Sequence, residues 1–403
     1  MKQNKDVAPP KKEDELPIDS KPTEKIAVFD YLRTFAILLV LLHHAILAYV
    51  TFAQLNPATP FTFAPVVDSQ KWSGFDLIAL FNDTWFMALL FFISGLFVWK
   101  SLTRKGAWIF LRDRLIRLGI PFVIGVILLI PLAYFPGQLE IEQFYGGSTS
   151  YIDFWLGMVS AGFGTAGPLW FLCVLLAFNC LIAVLYGIAP HLDDIIKLRV
   201  SAIMNHTIAF FGVLLGISTV AYLPMVLVFG INHWTTIGPI TFQTSRILFY
   251  LVYFLLGTAV GVYGLSRTMF NSKSKFARRG WIWMIVSPLS FVVVIIFLIN
   301  PNPTGLIFYG IALTFTCAAA VFGFISIFLR FTNRRVGILD SLSNNSYGIY
   351  IVHYVFVTWL QYFLLDIQLP AILKALIAFS GTLILSWGSV AAIRRIPTVA
   401  RVI

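Results

Sequence analysis

Charge is scarce in this sequence. Only 12% of its 403 residues are Asp, Glu, Lys or Arg, whereas 59% are hydrophobic and the mean hydropathy is +0.85. A soluble domain needs a polar exterior that so few charges cannot supply. Cysteine is sparse as well. Cys173, Cys180 and Cys317 all fall inside apolar stretches, an odd and buried set that excludes a disulfide framework and reads as small packing residues. There is no glycine-rich phosphate loop, no zinc-type histidine spacing and no serine elbow. No metal site and no permanently bound cofactor are therefore expected.

What the chain does have is apolar length. Stretches of about twenty residues recur from Phe29 onward, each long enough to cross a bilayer. Backbone groups in lipid must pair internally, so such segments are helices or closed barrels. Runs such as Leu38–Leu42 and Phe122–Leu132 lack the alternation of barrel strands. The fold class is therefore all-α, a polytopic membrane bundle of about ten transmembrane helices. The spans are expected at 28–51, 79–99, 115–135, 168–188, 207–230, 247–266, 281–299, 305–329, 346–364 and 370–392. The stretch Ile152–Phe163 allows an additional re-entrant or surface helix. Residues 1–27 form a charged, Pro-containing tail that is expected to be disordered and cytoplasmic. Its charge and length do not suit a secretory signal, so the first span is expected to be retained as an anchor. Residues 28–403 form the transmembrane domain.

The net charge of +11 is not a nucleic-acid signal, because of where the charge sits. The tail and the even-numbered loops hold nearly all of it: Lys100, Arg104, Lys105, Arg112 and Arg114, then Lys197 and Arg199, then Arg267 to Arg279, then Arg330 to Arg335, and finally Arg394, Arg395 and Arg401. Lys71, Arg246 and Lys374 are the cations of the odd side. This is the positive-inside pattern, and it places both termini in the cytoplasm of a multi-pass protein of the cytoplasmic (inner) membrane. No convincing internal repeat is present, which counts against the inverted-repeat transporters.

Ionisable residues inside a span are costly and mark function by default. The first span carries Asp30, Arg33, His43 and His44. Arg33 and His44 are eleven residues apart, so they return to within about 20° of one helix face, roughly 16 Å apart along the axis. Asp30 falls near that face, whereas His43 is expected to point away. Arg33 is either a functional cation or an anchor snorkelling to headgroups. His44 is either catalytic or a bundle histidine joining helices. Asp83, in the second span, reaches a similar depth. It either orients the imidazole, as in a catalytic dyad, or caps a helix. Arg114 and Arg117 share a helix face beside Arg104, Lys105 and Arg112, an arrangement suited to phosphate as well as to topology. Ser346, Tyr350 and His353 form a polar stripe that lines a ligand channel or glues helices. The third loop gathers Glu140, Glu142, Phe144, Tyr145, Tyr151, Asp153 and Trp155, either a sugar-binding surface or an interfacial aromatic belt.

Several stretches taken together resemble the acyltransferase-3 family of membrane proteins, which modify extracytoplasmic glycans and some lipids or antibiotics. They are FDYLR…HH, FFISGLFVWKSLTRKG, FLRDRLIRLGIPF, GPLWFLCVLL and SYGIYIVHY, in that order from Phe29 to Tyr354. The family's arginine-ten residues-histidine motif falls on Arg33 and His44, and its arginine-two residues-arginine motif falls on Arg114 and Arg117. The resemblance implies that His44, paired with Arg33 in the family motif, is the essential catalytic group; Asp83, by its depth, is expected to assist it. The resemblance also implies that the arginines belong to the acyl-donor site, and Tyr350 and His353 of the polar stripe are expected to join them in binding the donor. The adjacent His43 departs from the pattern, and helix geometry favours His44. The expected co-substrate is acetyl-CoA or another acyl-CoA, and the expected acceptor is a hydroxyl of an extracytoplasmic glycan or glycolipid. Two rival readings are a proton-coupled transporter, using His44 and Asp83 as relay, and a noncatalytic assembly partner.

Overall fold

The structure, a computed structural model, describes residues 22–57, 63–189, 191–299, 302–332 and 334–403. Most of the tail expected to be disordered, residues 1–21, lies outside the described residues. The long helices in chain order are α1 (Pro22–Leu47), α2 (Ser73–Leu96), α3 (Ala107–Tyr145), α4 (Trp170–Ile188) and α5 (Thr207–Phe229), then α6 (Ile247–Tyr263), α7 (Gly280–Leu298), α8 (Pro303–Phe331), α9 (Gly337–Phe363) and α10 (Ala371–Ile393). Nine of these, among the described residues, are long and apolar enough to cross a membrane. The remaining one, α9, covers the span expected at 346–364. It is 27 residues long but carries Asn345, Ser346, Tyr350, His353 and Gln361, all buried. Helices α1, α3 and α10 pack around it, and shielding from lipid is what lets a helix this polar stand inside an apolar bundle. The surface helix allowed for near Ile152–Phe163 is present as Tyr151–Ser160, its first turn capped by Ser150, whose hydroxyl accepts from the Asp153 amide.

Helices α2 and α6 meet at glycine. A Cβ at Gly95 would lie 2.2 Å from the Phe254 carbonyl oxygen, and Cβ atoms at Gly257 and Gly261 would lie 2.1 and 2.2 Å from the Phe92 and Leu96 oxygens. Gly257 and Gly261 form a glycine pair four residues apart, which is how helices in lipid bring backbones into contact. The core beside them is aromatic, with Trp85 stacked on Phe324 at 4.1 Å.

Helix α3 is the irregular one. It contains two π turns, Leu115–Gly119 and Gly125–Leu129, and prolines at 121, 131 and 136. Proline has no N–H for the carbonyl four residues back, here those of Arg117, Ile127 and Leu132. Each of these carbonyls accepts from an aromatic side chain of another element: Tyr347, Trp155 (2.8 Å) and Trp359 (3.0 Å) respectively. The helix keeps its polar backbone satisfied by fastening itself to its neighbours.

The three cations that break the loop alternation are all held by protein groups. Lys374 and Asp68 form an ion pair at 2.6 Å with both side chains 1% exposed. Lys71 donates to the Ala48 and Ala53 carbonyls, and burial keeps its ammonium below the usual lysine range. Arg246 pairs with Asp83 at 2.7 Å. Glu140, considered above as part of a sugar surface, is instead buried and accepts from the Val67 amide at 3.0 Å.

One element was not expected. After α5, strands β1 (Trp234–Ile237) and β2 (Ile240–Gln243) pair antiparallel. Their two-residue turn, Gly238-Pro239, has Gly238 at φ +57°, the positive φ required at the first position of a primed hairpin turn.

Candidate functional site

Two of the cavities among the described residues lie along α1. The first, of about 620 Å³, is lined by Arg33, Lys100, Arg104, Lys105, Arg114, Arg117 and Arg394, with Asp30 the one acidic side chain among its described lining residues. Seven cations against one acid make it a concentrated positive field. Arg114 is steered by the ring of Phe110, 5.0 Å from its guanidinium carbon. Arg117 projects from the π turn whose freed carbonyl Tyr347 occupies. Arg33 reaches Asp30 at 3.4 Å with its side chain 41% exposed, so most of its guanidinium edge remains available. Arg394, from the end of α10, donates to the Asn345 side chain at 2.9 Å.

The second cavity, of about 520 Å³, is lined by His43, His44, Asp83, Tyr134, Thr165, Trp170, Trp234, Thr241, Gln243, Tyr250, Tyr350 and Tyr354, among others. No lysine or arginine is among its described lining residues. One residue, Tyr350, lines both cavities, and its hydroxyl donates to the Pro168 carbonyl. That side chain is the partition between them.

The bonds around His44 set its reactive nitrogen. His353 Nδ1 lies 2.6 Å from the Tyr350 carbonyl, which can only accept, so that nitrogen carries the proton. A neutral imidazole then has a lone pair on Nε2, and His353 Nε2 is 3.3 Å from His44 Nδ1. His44 Nδ1 also lies 2.8 Å from the Val40 carbonyl. Both partners are acceptors, so His44 Nδ1–H donates to them in a shared bond and His44 Nε2 keeps the basic lone pair. Gln361 donates to the His44 and Ala45 carbonyls at 2.8 and 3.2 Å, fixing the backbone beneath the ring. An imidazole held this way can take or give one proton at one defined atom.

The residues singled out from the sequence divide between the cavities. Arg33, Arg114 and Arg117 line the first, His44 and Asp83 the second, and Tyr350 both. His353 lines neither; it is fully buried behind His44. Asp83 does not cap a helix, because α2 begins ten residues earlier. Its carboxylate is engaged by Arg246, which also donates to the Asp83 carbonyl at 2.7 Å. The partner of His44 is therefore His353. His43, expected to point away, lines the same cavity as His44. A cavity broad enough to span the 100° between neighbouring residues admits both rings. Sequence reasoning missed Arg246, Trp170, Trp234 and Tyr250 as lining or lining-support residues. The alternation of Thr and apolar residues about Gly238-Pro239 was the available signal for the hairpin.

No curated protein and no solved structure is similar enough to this chain to be matched. A family model does match: that of the acyltransferase-3 acyltransferase domain, over residues 26–391. That is nearly the whole chain, so with its nine apolar helices this protein belongs to the acyltransferase-3 family and is a membrane acyltransferase.

Proposed function

We propose that the chain moves an acyl group, in the first instance acetyl, from cytoplasmic acyl-CoA in the arginine cavity to a glycan or glycolipid hydroxyl in the histidine cavity. The observation that carries this reading is the partition: one cavity is densely cationic and the other is free of lysine and arginine among the described residues, and Tyr350 alone lines both. The basic loops lie on the cytoplasmic face, which makes α9 the ninth of ten spans and puts both termini on the cytoplasmic side of the inner membrane.

The phosphates of acyl-CoA take charge-assisted bonds from Arg114, Arg117 and Arg33. The pantetheine arm then runs beside α1, whose eleven residues from Arg33 to His44 span roughly 16 Å. The thioester arrives at Tyr350. His44 Nε2 removes the proton of the acceptor hydroxyl as its oxygen attacks the thioester carbonyl carbon. The tetrahedral adduct collapses with cleavage of the C–S bond, and His44 returns the proton to the departing CoA sulfur. The alternative of proton-coupled transport through a His44–Asp83 relay has less support, since Asp83 is ion-paired to Arg246 and His44 bonds to His353.

The test is turnover of labelled acetyl-CoA by purified protein in nanodiscs, with His44→Ala and His43→Ala for comparison. The reading requires loss in His44→Ala with acyl-CoA binding kept, and activity in His43→Ala. Substrate flux with no consumption of any acyl-CoA would transfer the case to a transporter.

A further inference from the structure

We propose that the histidine cavity selects a neutral pyranoside ring, seated against Trp234 and Trp170, and rejects anionic sugars. The proposal rests on the acyl-transfer reading above and adds the chemical class and the subsite of the acceptor.

Three features converge on it. The first is an aromatic corner. Trp234, on β1, meets Trp170, at the start of α4, edge to face at 6.0 Å. Trp170 in turn stacks on Tyr250 at 5.8 Å and 28°, which holds it rigid. Trp234 is 45% exposed, so one indole of the corner stays free to take a ring. The apolar C–H face of a pyranose is a suitable partner for an aromatic face, which offers area and little conformational freedom to lose.

The second feature is unspent hydrogen-bonding capacity. Thr241, on β2, and His43 both line the cavity, and neither the Thr241 hydroxyl nor His43 Nδ1 has a partner. Shielded polar atoms without partners are costly, and sugar hydroxyls, which both donate and accept, would satisfy them. These atoms sit on opposite sides of the corner in sequence, one on the hairpin and one next to His44. A ring bonded to both is held between the indoles and the base.

The third feature is charge. The only described side chain of fixed charge in this lining is the carboxylate of Asp83, and its counter-charge, Arg246, is 3% exposed and already paired with it. A uronate or phosphate entering here would meet a carboxylate and no available cation, which disfavours it by several-fold to many-fold in affinity. A neutral hydroxylic ring meets no such penalty.

The experiment uses full-length protein in nanodiscs, acetyl-CoA as donor, and three acceptor arms: methyl hexopyranosides, their octyl counterparts, and the matching methyl hexuronides. The expected result is acetyl transfer to neutral glycosides, with kcat/KM for the uronides lower by roughly 30-fold or more. Trp234→Ala should raise the acceptor KM by about tenfold or more, the scale of one lost stacking partner, with the acyl-CoA KM held within about twofold. Thr241→Val should move the same acceptor KM by a smaller factor. Preference for octyl over methyl glycosides supports the subsite and identifies a lipid-borne sugar; equal use supports it with a soluble or polymeric one. Uronides acetylated as well as neutral glycosides, or an acceptor KM indifferent to both variants, overturns the proposal. Glycoside binding is also read by saturation-transfer NMR on the His44→Ala protein. Neutral rings that bind there and no longer bind once Trp234→Ala is added support the subsite; wild-type protein that consumes no acyl-CoA while binding those rings would sink the transfer reading and leave the subsite standing.

Discussion

The two cavities lie along the same first helix and have opposite chemistry. At one end, seven cations surround one acidic side chain. At the other, two imidazoles, tyrosines and tryptophans surround a carboxylate that is already neutralised from behind. On the proposed reading, the lesson is that the bundle separates holding from reacting. Strong charge at the reacting end would pull the histidines toward one protonation state and compete for the acceptor. At the arginine end the same charge is what a polyphosphate requires. Tyr350 is the residue that the two linings share.

The sharpest way to break the comparison is at His44. His44→Ala should cut turnover by about a thousandfold, within the range of a lost general base, with acyl-CoA affinity unchanged. The measurement is steady-state transfer beside equilibrium binding. An equal loss of affinity would mean that the cavities are not separate. Next come the arginines. Arg114→Ala and Arg117→Ala should each raise the acyl-CoA KM by roughly tenfold to a hundredfold, the scale of a charge-assisted bond, and alter kcat much less. The comparison sharpens if acetyl-pantetheine, which lacks the phosphates, is used equally well by wild type and both variants. His353→Phe should lower kcat by about tenfold with both KM values preserved, because it removes one of the two acceptors of the His44 proton and touches neither cavity. His353→Gln, which can still accept, should recover part of that loss. The smallest expected effect belongs to Tyr350→Phe, which removes only the bond to Pro168, worth about 1 kcal/mol. Its signature is a rise in acyl-CoA hydrolysis relative to transfer, measured as free acetate against acetylated acceptor.

How far the sequence foretold this depended on whether an interaction is local. Arg33 and His44 could be placed on one face because eleven residues nearly complete three helical turns. Arg114 and Arg117 were recognisable as a pair, although the π turn that carries Arg117 was not foreseen. Charge alternation read the span count as ten, and its three exceptions turned out to be cations with carboxylate or carbonyl partners. Contacts between distant residues were not legible. His353 and His44 are 309 residues apart, and the periodicity of α9 said only that His353 faced the bundle. Asp83 was matched to the wrong partner for the same reason: Arg246 lies 163 residues further on, and a 2.7 Å ion pair outcompetes a neighbour in depth alone. The hairpin was overlooked because two four-residue strands make little impression between long apolar runs.

The prolines of α3 have a mechanical consequence. Two of its three displaced carbonyls are held by Tyr347 and Trp359, which lie about three turns apart on α9. The segment between these fasteners carries Tyr350 and His353. Any axial slide or rotation of the arginine-bearing helix would therefore pull on a crossbar whose middle carries Tyr350 and His353. The irregular helix and the polar one are joined as a linkage with two pins, so a load applied at one would be carried to the other.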